Sequence, residues 1–265
     1  MPNSAMSSPD LPAQSRVDKL YAGRFVLHQP ATGGFRAGLD ALLLAACVPA
    51  DASGECADIG AGTGAVGCAA ATRAVRISTT LVENESSTAA LIRASIADPC
   101  NAAIAPRLRV AELDILSGRA SRQAAGLEDR RFALVLTNPP FFPETYRRSP
   151  DPLREAALFT AGSDVLLRWL RACAALVSPR GRLAVVARPS DLPAISQALE
   201  RRLGALAVLP VHTRPGPARR ILVGARAGSR ESLSILPGLD LWRDEEVGRA
   251  IADGTCHLDL FAGQA

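Results

Sequence analysis

A chain of 265 residues with 48% hydrophobic and 21% charged side chains is long and apolar enough to bury a core as an ordinary globular protein. Its net charge of +4 is compatible with a nucleic-acid partner without establishing one, and every basic side chain except Lys19 is an arginine. No apolar run is long enough to span a bilayer, and neither the six dispersed cysteines, none in a C-x-x-C pair, nor the three scattered histidines suggest a metal site or a disulfide framework. Reduced, buried thiols fit a cytoplasmic protein.

Residues 1–20 open with a Ser-, Pro- and Ala-rich stretch that lacks the basic start and apolar core of a signal peptide. They are expected as a disordered tail, with 21–265 as one domain whose core runs over about 36–226. Arg24 to Gln29 reads as a short strand. A Gly-rich loop over 31–38 leads into a buried helix, Leu39 to Ala46. Strands and helices then alternate: strand 55–59, helix 65–74, strand 77–82, helix 85–97, strand 108–112 and a weak helical segment over 117–126. The next strand, Phe132 to Thr137, ends in Asn138-Pro139-Pro140-Phe141-Phe142. A polar, proline-containing stretch follows. Helix 164–177 has Leu166, Leu167, Leu170, Cys173, Ala174 and Val177 on one face, and a turn at Ser178–Gly181 leads to strand 182–187. Helix 192–203 and two strands, 205–211 and 220–225, complete the pattern. Alternation of this kind implies an α/β fold on a mostly parallel sheet, with the last two strands as an antiparallel pair at its edge.

Four features fall at strand carboxyl ends, where open α/β sheets bind ligands. Asp58-Ile59-Gly60-Ala61-Gly62-Thr63-Gly64 joins a strand to a helix. Its G-x-G-x-G spacing departs from the G-x-G-x-x-G of dinucleotide sites, and an acid just before the loop suits an amine-bearing ligand better than a pyrophosphate. Glu83, about twenty residues on, is placed to hold ribose hydroxyls. Asp114 ends the third strand, where its carboxylate accepts from an exocyclic amine or caps a helix. Asn138 sets a side-chain amide on a stiff double-proline exit, followed by two aromatic rings in a chain with only 4% aromatics.

Together these residues resemble the class I S-adenosylmethionine-dependent methyltransferases, over about residues 20–226. Asp58 to Gly64 resembles their first motif and Asn138 to Phe141 their N-P-P-[FYW] motif. The segment Gly33 to Asp40, the Phe141-Phe142 doublet and the run Arg219 to Val223 further resemble the tRNA(Val) adenine-N6 methyltransferase family. The chain departs from that pattern at Ser95 to Pro99, which replaces an Asn-containing helix end, and at Asn84 after Glu83.

The resemblance implies a Rossmann-like, seven-stranded, mostly parallel sheet with an antiparallel edge strand and helices on both faces. It implies S-adenosylmethionine as cofactor, held by Asp58, Gly60, Ala61, Gly62, Gly64, Glu83, Asn84, Asp114, Ile115 and Asn138, with no metal. Asn138, Pro139, Pro140 and Phe141 are the expected catalytic set. Arg36, Phe142, Arg219 and Arg220 are candidates for substrate contact, and Arg147, Arg148, Arg154 and Arg214 for an RNA approach. Asp40, an acid in an apolar helix start, needs a partner. The expected reaction is N-methylation of an exocyclic amine of a base, N6 of adenine in tRNA. The alternatives are an rRNA guanine, a protein glutamine, or a non-catalytic module that keeps the cofactor fold. DNA adenine enzymes generally carry a target-recognition domain that is not visible here.

Overall fold

The computed structural model of the protein describes residues 15–32, 38–140 and 163–261. Its first element is a hairpin of β1 (Ser15–Leu20) and β2 (Phe25–Pro30), paired antiparallel around a turn in which Tyr21, Ala22 and Gly23 all have positive φ. The tail expected over residues 1–20 therefore yields to a strand at Ser15. Polar Arg16, Asp18 and Lys19 hide β1 from any apolar pattern; its order comes from pairing with the buried β2.

The main sheet carries β3 (Ser53–Ile59), β4 (Arg76–Glu83), β5 (Leu108–Glu112), β6 (Phe132–Thr137), β7 (Val177–Ala187), β8 (Leu203–His212) and β9 (Arg220–Ala227). Two-residue strands β10 (Ser234–Ile235) and β11 (Leu239–Asp240) pair with β8. The order is β5-β4-β3-β6-β7-β9-β8, with β10 beyond β8. From β5 through β4, β3 and β6 to β7 the strands are parallel, and β9 runs antiparallel to both β7 and β8, so the antiparallel strand lies one position inside β8, whose outer side carries only the two-residue strands β10 and β11. From β3 the chain winds outward through β4 and β5, then returns to lay β6 on the other side of β3. The crevice above β3 and β6 is thus the switch point at which such sheets bind ligands.

Helices cover both faces. One core packs α1 (Leu39–Ala46) and α2 (Ala65–Arg73) on the sheet; the other packs α5 (Ser163–Leu176) and α6 (Leu192–Leu199) on its opposite face. α3 (Ser86–Ala97) adjoins β2, which docks on it through Asn101: the side chain accepts from Val26 N–H at 2.9 Å and donates to the Val26 and Ser95 carbonyls. α4 (Arg119–Ala124) is the weak segment before β6. The expected turn at Ser178–Gly181 survives inside β7 as an irregularity. Phe132 pairs with Val177 but Leu134 with Arg182, and Arg180 adopts a φ of 63°. No helix among the described residues is long and apolar enough to cross a membrane.

The segment after β9 is a clasp. Asp244 caps α7 (Glu245–Ala252) by accepting from Val247 N–H. Ile251, Leu258, Leu260 and Phe261 then bury themselves in the core of α1 and α2. Leu258 N–H donates to the Ala46 carbonyl at 2.9 Å, Arg73 donates to the Gly254 carbonyl at 2.9 Å, and Arg182 stacks over the Phe261 ring.

Candidate functional site

Strand register sets the site. Ile59 is paired with Val82 on one side and Thr137 on the other, and Val82 with Ala111. One residue further along each strand lie Gly60, Asn138 and Glu83 in a row, with Glu83 paired to Glu112 and Asp114 two residues beyond. The sheet thus brings the four expected strand-end features to one edge.

The glycine loop is anchored to β4. The N–H groups of Gly60 and Ala61 both donate to the Val82 carbonyl, at 3.0 and 2.9 Å. Gly60, Gly62 and Gly64 have φ of 74°, 55° and 88°, a region closed to most side chains. Nothing lies within 4 Å of where a Cβ on Gly62 would sit, so the loop presents bare backbone to open space there. A Cβ on Gly60 would lie 2.8 Å from the Trp169 ring.

Asp58 does not face the crevice. It is 1% exposed, lies beneath the loop, and accepts from Gly67 N–H in the first turn of α2 at 2.8 Å. Burial pushes its carboxyl up to about 7, the Gly67 N–H pulls it down, and the charge of Glu83 adds to the rise. The expected direct contact with an amine-bearing ligand gives way to this internal one, because the Asp58 side chain belongs to the half of the pleat that faces α2.

Glu83 is 8% exposed and braces the loop as well as ending β4. One oxygen accepts from Gly62 N–H at 2.8 Å, and the other from the N–H groups of Asn84 and Glu85 at 3.0 and 2.9 Å. Burial pushes its carboxyl up while these three donors pull it down. A carboxylate offers about four acceptor positions, so one remains for a ligand hydroxyl. The Asn84 side chain is exposed. Asp114 is exposed and accepts from Leu116 N–H at 2.8 Å, forming a local turn; the cap of α4 is Gly118 instead. Ile115 is 2% exposed and part of the core beneath the strand ends.

Asn138 is half-buried and Pro139 buried. The preceding Thr137 is fully buried; its hydroxyl donates to the Ile59 carbonyl at 2.9 Å and accepts from the Trp169 indole N–H at 2.9 Å. This ties the Asn138 backbone to the start of the glycine loop. Trp169 escapes sequence reading because it lies beside, not within, the apolar face of α5. Its one clue is that the chain has only two tryptophans. Trp169→Phe keeps an aromatic ring on α5 but deletes one buried hydrogen bond and the outer ring atoms that abut Gly60. Urea unfolding is expected to show a loss of about 1 kcal/mol.

Gln29 and Thr63 also join the site without a local sequence signal. Gln29 is 3% exposed on β2 and accepts from the Thr63 hydroxyl at 3.4 Å, while its amide donates to Asp18 at 2.6 Å. The amino-terminal hairpin thereby rests on the glycine loop. Asp40 has the partner it needs: Arg220 donates to both its oxygens, at 3.0 and 2.9 Å. Arg220 is thus engaged within the protein, whereas Arg219 and Arg214 are exposed. Arg36, Phe141, Phe142, Arg147, Arg148 and Arg154 lie outside the described residues.

These residues fit S-adenosylmethionine: open glycine backbone, an acid with acceptor capacity at the next strand end, and an exposed acid at the third. Residues 36–213 match the methyltransferase small domain family. A tRNA1(Val) (adenine(37)-N6)-methyltransferase of Porphyromonas gingivalis strain W83 is 34% identical over 158 residues. That match spans 57% of this chain and 58% of the relative, so the chain covers little more than half the length of that curated relative. A crystal structure of a predicted O-methyltransferase from Agrobacterium tumefaciens superposes with a TM-score of 0.66 at 30% identity, covering 83% of this chain and 98% of that one. The T. thermophilus 16S rRNA N2 G1207 methyltransferase, in complex with AdoMet and guanosine, shares the fold with a TM-score of 0.54 at 19% identity, over 83% of this chain and 52% of its own. The chain belongs to the methyltransferase small domain family, a family of S-adenosylmethionine-dependent methyltransferases.

Proposed function

We propose that the protein is an N-methyltransferase that acts on an exocyclic amine of a nucleic-acid base, N6 of adenine in tRNA. The observation that carries this reading is the position of Asn138-Pro139-Pro140: directly after Thr137, beside the glycine loop, at the switch point of the sheet. The names of the P. gingivalis relatives support the substrate class.

In this reading the loop from Gly60 to Gly64, with Ala61, cradles the cofactor. Glu83 takes a ribose hydroxyl with its remaining acceptor position, Asp114 and the Asn84 side chain flank the adenine, and Ile115 supplies apolar support. Asp58 is a positioning residue that fixes the loop through Gly67. When bound, S-adenosylmethionine supplies a methyl group activated by its sulfonium, so the protein needs alignment more than a strong base. The Asn138 amide oxygen and the Pro139 carbonyl accept the two N–H groups of the target amine. That draws the amine lone pair out of conjugation and aims it. A neutral amide suits a nitrogen that is cationic only briefly, before its proton passes to solvent. Phe141, next in the chain, stacks on the flipped base, a contact worth roughly 1–3 kcal/mol.

The test is incubation with methyl-labelled S-adenosylmethionine and, separately, total tRNA, rRNA, DNA and protein, followed by nucleoside chromatography. Label is expected in N6-methyladenosine from tRNA. Label only in guanosine, in a ribose oxygen or in protein glutamine overturns the substrate assignment, and no transfer to any acceptor overturns catalysis.

A further inference from the structure

The protein has a second concavity, at the sheet edge opposite Asn138. It encloses about 730 Å³ and lies where β6, β7 and β8 begin and β9 ends. Arg119, Arg130, Arg180, Arg202 and Arg226 line it, against one carboxylate, Asp129. Arg119 pairs with that carboxylate at 3.1 Å. Five arginines and a single acid among the lining residues, in a chain of net charge +4, concentrate positive potential in one concave place.

The backbone makes this concentration costly. Arg130 and Arg180 have φ of 60° and 63°, and Arg201, beside Arg202, has φ of 64°. Glycine occupies this left-handed region freely, whereas side-chain-bearing residues are strained in it. Three turns around one concavity thus place arginine where a glycine would relax the chain. Arg131 shows the contrast: next to Arg130, it turns away into a two-pronged pair with Glu55 at 2.7 and 2.6 Å.

We propose that this arginine-lined concavity binds the sugar–phosphate backbone of the RNA substrate at a place remote from the methylated base. The proposal rests on the RNA reading above. Planar guanidinium forks match phosphate oxygens, and phosphate contacts position a nucleic acid without reading its sequence. The six residues of β6 separate the concavity from Asn138 by roughly 20 Å at the usual strand rise. A folded RNA bridges that distance and a nucleoside does not. The site therefore governs affinity for the whole RNA and leaves the chemical step alone.

The variant Arg130→Gly/Arg180→Gly separates function from architecture, because it removes two charges and relieves two strained backbones. Its melting temperature is expected to hold or rise. Each phosphate contact contributes about 0.7–0.9 to the slope of log affinity against log salt, so the slope for tRNA binding is expected to fall by about 1.5. Arg130→Lys/Arg180→Lys keeps the charges and is expected to keep the slope. Arg202→Ala, at a residue with ordinary backbone, is expected to lower it by about 0.8. Turnover on a stem–loop too short to reach the concavity is expected to match that of the unaltered protein. If the unaltered protein methylates tRNA and the slopes stay unchanged in both charge-removing variants, the concavity is not an RNA site while the RNA reading stands. If the unaltered protein neither binds nor methylates RNA, both fall together.

Discussion

Asn138→Ala is expected to lower kcat by about 10²–10³-fold, the usual cost of deleting one positioned hydrogen bond that strengthens in a transition state. Calorimetric affinity for S-adenosylmethionine is expected to fall far less, because under the proposed function Gly62, Glu83 and Asp114 carry most of the cofactor contact. A loss in kcat with cofactor affinity largely kept marks an interaction made only as the amine reacts. Asn138→Asp retains an acceptor at the same place and is expected to keep more of the rate than the alanine variant. Turnover unchanged in Asn138→Ala removes the residue from the mechanism.

The second large effect is on stability. The Asp58 carboxyl titrates near 7 in the folded chain against an ordinary value of 3.8, because burial outweighs the single N–H bond from Gly67. A raised folded value means that the folded state holds its proton more tightly than the unfolded chain. Its contribution is fully present below about pH 4 and is lost as pH rises through about 7. At 1.36 kcal/mol per pH unit, the loss amounts to up to about 4 kcal/mol. Glu83 is shifted in the same direction and adds to the trend. Asp58→Asn keeps an acceptor for Gly67 N–H and cannot ionise. Denaturant unfolding between pH 4 and 8 is therefore expected to show a shallower fall for the variant than for the unaltered protein. Parallel curves for the two proteins overturn the assignment.

Much of the architecture can be read from residue pattern alone. Alternating apolar runs and Gly, Pro or acidic stops mark β3 to β6 and their helices, since parallel strands buried on both faces leave that trace. The switch point follows, and with it the meeting of Gly60, Glu83 and Asn138. What escaped depends on distant partners. β1 is polar along most of its length and is a strand only because β2 pairs with it. Asp58 looks like a ligand residue until α2 folds back and offers it the Gly67 N–H. Trp169, Gln29 and Arg220 bond to residues 32, 34 and 180 positions away, which no local pattern encodes. α7 is a different case: Asp244 as cap, Glu245 and Glu246 in the first turn and Val247 with Ile251 on one face are local signals of a helix.

The carboxy-terminal clasp has a consequence during synthesis. Leu43 and Leu44 leave the ribosome about two hundred residues before Leu258 and Leu260, the side chains that complete their core. Until then the nascent chain can pair its parallel strands and pack α1 on α2, yet an apolar flank of that pair stays bare. The strand-end crevice is built early and the α1–α2 core is completed late, and in the interval the growing polypeptide displays a sticky surface of the kind that chaperones hold.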